Sequence, residues 1–150
     1  MKRQLSAREL TAGIHLAVFV EPYLSAVLQS RKTIESRFAV HRRPPYGCIE
    51  PEDYILLKQS GGPVVGVVLA KSATFYQLSP SVLAQLRLRF ADKLFANDDQ
   101  FWESRALKQY ATLIELQEPL KITPLPIVKR DRQAWVTYHR ALKSPATLDV

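Results

Sequence analysis

The spacing of apolar residues changes period several times along the chain, and each change marks an element. Ile14 to Val20 (IHLAVFV) is a β-branched and aromatic run of strand length. In EPYLSAVLQS, Pro22 suits a first helical turn, and Leu24, Val27 and Leu28 fall on one helical face. KTIESRFAV returns to alternation: Ile34, Ser36, Phe38 and Val40 share one side, and Thr33, Glu35 and Arg37 share the other. HRRPPYGCIEPED is turn-rich, because Pro44 and Pro45 forbid a ladder and Gly47 permits a tight turn. DYILLKQ and PVVGVVLA read as two strands joined by SGG; the second is apolar on both faces, which predicts a central position.

The second half opens with the clearest helix, SPSVLAQLRLRFADKLF. Ser79 can cap it, Pro80 fits the first turn, and Val82, Leu83, Leu86 and Phe90 form its apolar stripe. Asn97 predicts the start of a second helix, DDQFWESRALK, with Gln100 at the capping-box position. YATLIEL alternates again. The segment after it is extended, interrupted by Pro124 and Pro126, and ends in a predicted strand at Ala134 to Tyr138. Residues 1–13 read as a polar arm and residues 14–150 as one domain. Strands and helices do not alternate regularly, so the pattern predicts an α+β fold: a small mixed or antiparallel β-barrel with helices at one side, not a doubly wound sheet.

Charge sharpens this picture. The chain of 150 residues carries a net charge of +7, a balance that favours polyanionic partners. The cations are clustered. Arg31 to Arg43 holds five basic residues against Glu35 alone, and Lys121 to Lys143 holds six against Asp131 alone. Cys48 is the only cysteine, which excludes an internal disulfide and fits a reducing cytoplasm. His15, His41 and His139 are not at metal-ligand spacing, so no metal site and no cofactor is expected. The apolar runs are too short for a bilayer, and the N-terminus shows no secretory h-region, so no membrane association is expected. Phosphate-loop, dinucleotide-binding and nucleophile-elbow motifs are absent from the sequence.

The candidate chemistry lies in SRKTIESRF. Glu35 and Arg37 are two apart and project from one strand face, and Lys32 stands just before the strand. A carboxylate beside a guanidinium stays ionised. In a cleft, Glu35 would accept from an amino group and Arg37 would donate a fork to a carbonyl or phosphate, while Lys32 would bind phosphate or act as a base. On a solvated face the same pair would contribute about 0–1 kcal/mol. Arg31, Arg42 and Arg43 flank the motif. Lys129, Arg130 and Arg132, with Trp135 nearby, have the composition of a phosphate track with one stacking platform. Trp102 is either a core residue or a surface on which a base stacks.

RKTIESR resembles the K-x-x-E-x-R signature of ASCH domains, in the PUA-like β-barrel superfamily, and the order of elements over about residues 12–138 is similar too. The resemblance implies a PUA-like barrel with a cleft under its first helix, and an RNA- or nucleotide-binding role with single strands favoured. Lys32, Glu35 and Arg37 would line that cleft, and Arg31, Arg42, Arg43, Trp102, Lys129, Arg130 and Arg132 would extend the nucleic-acid surface. The alternative implied is a metal-independent hydrolase, a ribonuclease or a modified-nucleoside amidohydrolase, with Lys32, Glu35 and Arg37 as its catalytic residues. In the amidohydrolase branch a Lys, a Thr and a Glu are credited with the chemistry. Lys32 matches the Lys, Glu35 stands where the Thr would be, and Glu103 is a candidate for the later acid. A third reading, a protein-interaction surface on the helix around Val82 to Leu94, ranks last.

Overall fold

The computed structural model describes residues 12–129 and 131–139. They form six strands and three helices: β1 (Ile14–Phe19), α1 (Tyr23–Leu28), β2 (Ile34–Ala39), β3 (Tyr54–Gln59), β4 (Val64–Gln77), α2 (Pro80–Phe90), α3 (Asp99–Glu103), β5 (Tyr110–Leu125) and β6 (Trp135–His139). The strands make one sheet in the order β2-β5-β4-β3-β1-β6. β1 and β3 run parallel and every other pair is antiparallel. The predicted α+β class, the mixed sheet and the central place of PVVGVVLA are all present.

Two long strands curl this sheet into a half-barrel. β4 and β5 pair along most of their length, but their register shifts three times, between Val64 and Gly66, Val67 and Leu69, and Ala70 and Ser72. Bulges of this kind bend a strand and increase its twist. β5 is longer than its alternating stretch predicts, because Pro119 falls where the ladder is already shifted, next to Glu118 at φ +54°. Pro124 lies near its end, where only Leu125 pairs again, with Val64.

The two faces of the sheet serve two cores. Ala17, Phe19, Leu24, Val27, Ile55, Leu57, Val68, Ile114 and Trp135 pack together on one side beneath α1. Ile34, Leu86, Leu94, Phe101, Trp102, Ala111 and Leu113 pack on the other side beneath α2 and α3. Strand parity sorts the residues as the sequence predicts. Ile34 and Phe38 join the second core, so Glu35 and Arg37 face the first. Tyr23 packs against both clusters.

The caps follow local chemistry, with one correction. Ser79 caps α2, accepting from Val82 N at 3.1 Å, and Pro80 is its first residue. α3 is capped by Asp98, not Asn97: the Asp98 carboxylate accepts from Phe101 N at 3.0 Å. A carboxylate is favoured at a helix N-terminus by the positive end of the backbone dipole as well as by the hydrogen bond. Among the described residues no helix is long and apolar enough to cross a membrane.

Gly66, in β4, lies close against Leu28 at the end of α1. A Cβ there would lie 2.7 Å from Leu28 Cδ2, 3.1 Å from the Leu120 carbonyl oxygen and 3.3 Å from Leu57 Cδ1. Gly66→Ala is expected to destabilise the fold by about 1–3 kcal/mol through overpacking. A lowered urea midpoint with unchanged slope would show it.

Candidate functional site: a charged recess beside the barrel seam

The motif is anchored before its strand begins. α1 ends with Ser30 in the left-handed region at φ +59°, and the Arg31 and Lys32 amides return to the Ala26 carbonyl at 2.8 and 3.0 Å. The Thr33 and Ile34 amides then donate to the Lys93 carbonyl, at 3.0 and 3.1 Å. The loop after α2 therefore holds the entry to β2. Lys32 turns inward from this junction and is 2% exposed. Its Nζ donates to the Leu94 carbonyl at 2.6 Å, lies 3.5 Å from Glu35 Oε1 and sits 5.4 Å from the centre of the Tyr23 ring.

Glu35 is buried between two cations. Oε1 accepts from its neighbour's backbone, Ser36 N, at 2.7 Å, and Oε2 accepts from Arg37 Nη2 at 3.2 Å. Burial alone would raise its pKa. The Lys32 and Arg37 charges, with the hydrogen bonds from Ser36 and Arg37, outweigh that and hold it below the usual carboxylate range. Burial acts the other way on Lys32 and pulls its pKa down, opposed by the Glu35 charge.

Arg37 joins the site to the architecture. Its Nη2 also donates to the Val18 carbonyl at 2.9 Å, and Nη1 donates to the Ala134 carbonyl at 3.1 Å. Val18 is in β1 and Ala134 immediately precedes β6, whereas Arg37 is in β2, at the opposite end of the strand order. The guanidinium thus spans the seam of the half-barrel where no ladder does. Phe19 and Trp135 lie against it, with ring centres 5.0 and 5.3 Å from Cζ.

A recess of about 390 Å³ opens over this triplet between α1, β2 and the segment after α3. Its charged lining is Lys32, Glu35, Arg37, Arg105 and Lys108. Tyr23, Phe38 and Phe101 supply aromatic walls, and Ser104 a hydroxyl. Four cations against one carboxylate make it an anion-attracting cavity. Arg105 lies over the Phe101 ring at 3.6 Å and donates to the Phe101 carbonyl at 2.9 Å; partial burial lowers its pKa. Burial, with the nearby Asp98 charge, raises that of Tyr23. Arg37, Phe38 and Lys108 also border a second, outer recess of about 640 Å³.

The other sequence candidates separate. Arg43 and Arg132 line the outer recess. Arg42 lies 5.3 Å from the centre of the Tyr110 ring, which borders the same recess. Arg31 points elsewhere, over the Phe95 ring at 5.1 Å. Lys129 is engaged with Asp131 and lines neither recess. Arg130 lies outside the described residues. Trp102 is 4% exposed, and its Nε1 donates to the Ala96 carbonyl at 2.9 Å, so its ring is core and has no face for a base. Glu103 is exposed and lines neither recess. Tyr23, Ser104, Arg105 and Lys108 were not singled out by sequence. The one signal for Arg105 was a cation four residues after Phe101, which in a helix-like segment lies on the same side.

A second buried network backs the seam. His15 is fully buried; its Nε2 lies 2.8 Å from Asp53 Oδ2, and its Nδ1 lies 3.1 Å from Trp135 Nε1. The indole can only donate, so Nδ1 accepts and the ring proton sits on Nε2, directed at Asp53. This fixes the Trp135 ring that lies against Arg37.

This chain shares its fold with a crystallised ASCH protein. The ASCH protein of Zymomonas mobilis superposes with a TM-score of 0.66 at 15% identity, over 84% of this chain and 87% of that one. A serine-to-alanine variant of the same protein gives 0.68 at 16% identity, over 86% and 90%. No family profile matches the chain, and no curated protein matches it. At such identity the likeness is one of architecture, and the site rests on its own geometry.

Glu35 makes stability depend on pH. Its folded pKa lies below the unfolded value of about 4.3, so between the two the unfolded chain binds more protons and stability rises with pH. The contribution is present above about pH 4.3 and is lost as pH falls through the folded value. Melting temperature measured from about pH 6 to pH 2 is expected to drop more steeply for the native chain than for Glu35→Gln. At neutral pH, Glu35→Gln leaves Lys32 buried without its counter-charge and is expected to cost about 3–5 kcal/mol, read by urea denaturation.

Proposed function

We propose that this domain binds RNA, holding one nucleotide unit in the recess over Lys32, Glu35 and Arg37. The observation that carries the proposal is the buried carboxylate at the floor of a cavity whose other charged groups are all cations. Glu35 accepts from an exocyclic amino or ring N–H group. Arg105 and Lys108 meet the phosphate, and the Tyr23 ring supplies apolar contact to the base. An unstacked base reaches such a recess and a paired one does not, which favours single strands.

A second reading, metal-independent hydrolysis in the same recess, draws on one observation. Burial lowers the Lys32 pKa, the direction that general-base chemistry needs, against the opposing Glu35 charge. Because Glu35 stands at the place of a hydroxyl nucleophile, water would be the attacking group. Incubation with RNA and with N-acylated nucleosides separates the readings. Turnover that Lys32→Met abolishes supports hydrolysis, and unchanged substrates support binding alone.

Fluorescence anisotropy with short single-stranded RNA tests the binding reading. Affinity is expected to fall with salt, the logarithmic slope being about −0.7 per phosphate contacted. Lys108→Ala, a change at the half-buried rim, is expected to weaken all sequences alike and to reduce the slope by about one contact. Absence of binding at about 50 mM salt, where phosphate contacts are strongest, overturns the proposal.

A further inference from the structure

The outer recess has a different chemistry from the inner one. Its charged lining consists of Arg37, Arg43, Lys108 and Arg132, with no carboxylate among them. Arg43 and Arg132 are exposed and have no ion-pair partner among the described residues. Arg43 comes from the loop after β2 and Arg132 from the segment before β6, so the fold brings together the two basic stretches of the sequence. Tyr46, half-buried, lines the same recess, its ring held at 5.1 Å from Tyr110 and 5.4 Å from Phe75. The backbone beneath it turns through Gly47 at φ +70°, a conformation that suits glycine.

We infer that the outer recess is a second nucleotide subsite, which takes the phosphate and base next to the unit held in the inner recess. The ligand is then a single strand of at least two nucleotides, and the free nucleoside or mononucleotide is a fragment of it. This rests on the inner-recess reading above. Three features support it. Arg37, Phe38 and Lys108 belong to both cavities, so the two are contiguous at a wall that carries two cations. A phosphodiester crossing that wall would meet both. The volumes, about 390 and 640 Å³, both lie in the ordinary range for small-ligand sites. Finally, the inner cavity has a carboxylate suited to a base edge, whereas the charged groups of the outer one are all cations, set beside aromatic rings, which suit a phosphate and a stacked base. The inner subsite therefore selects the base and the outer one adds affinity with little selectivity.

Calorimetric titration with the four ribonucleoside monophosphates and the matching homodinucleotides tests this. The native chain is expected to bind its preferred dinucleotide about tenfold or more tightly than the monophosphate, the scale of one added base contact. In Arg43→Ala/Arg132→Ala, two exposed side chains, that gain is expected to shrink to less than about threefold. Circular dichroism checks that the variant keeps the fold. Equal affinity for mononucleotide and dinucleotide in the native chain overturns the second subsite and leaves the inner one standing. So does a dinucleotide gain that persists in the double variant. Failure of every ligand to bind overturns the inner-recess reading, and the second subsite with it.

Discussion

A carboxylate buried in a protein must be neutralised by proton or by partner, and in this fold it is held by Lys32 and Arg37. The three groups form a clamp. Glu35 stays charged because the cations are there, and Lys32 tolerates 2% exposure because Glu35 and the Leu94 carbonyl meet its ammonium. Removing any one of them leaves the others with an unmatched desolvation cost. The clamp lies at the meeting of α1, β2 and the loop after α2, so it also fixes how those segments approach one another.

The same clamp finishes the barrel. The sheet is open between β2 and the β1–β6 pair, and a ladder there would need two strand edges in register. The Arg37 guanidinium bridges the gap with hydrogen bonds to two carbonyls, backed by Phe19 and by a Trp135 ring that His15 and Asp53 hold in place. A side-chain bridge leaves space that a ladder would fill, and the recesses lie on either side of it. In the binding reading proposed above, ligand recognition and barrel closure share one residue, Arg37. This is a reason to probe function at Lys108, Arg43 and Arg132, which carry less of the fold.

Much of this was legible in advance. Period-two alternation placed Glu35 and Arg37 on the face opposite Ile34 and Phe38, because a strand's geometry leaves no other choice. Ser79 and Pro80 announced α2 by local capping chemistry. Other features were not legible. The cap of α3 is one residue later than predicted, at Asp98, since neighbouring polar residues offer competing acceptors and the sequence does not rank them. Trp102 suited a core first and a stacking platform second, and the Ala96 carbonyl and the Phe38 ring hold it in the core.

What the sequence determined by itself was local: the strands and helices, their buried faces, and the presence of a carboxylate among cations. These depend on residues a few positions apart, where backbone geometry dictates proximity. Only the tertiary structure decided that Lys32 turns toward Leu94, that Arg37 reaches Val18 and Ala134, and that Arg43 and Arg132 border one cavity. Those meetings depend on the curl of the sheet, which comes from register shifts summed along β4 and β5 and not from any single residue pattern.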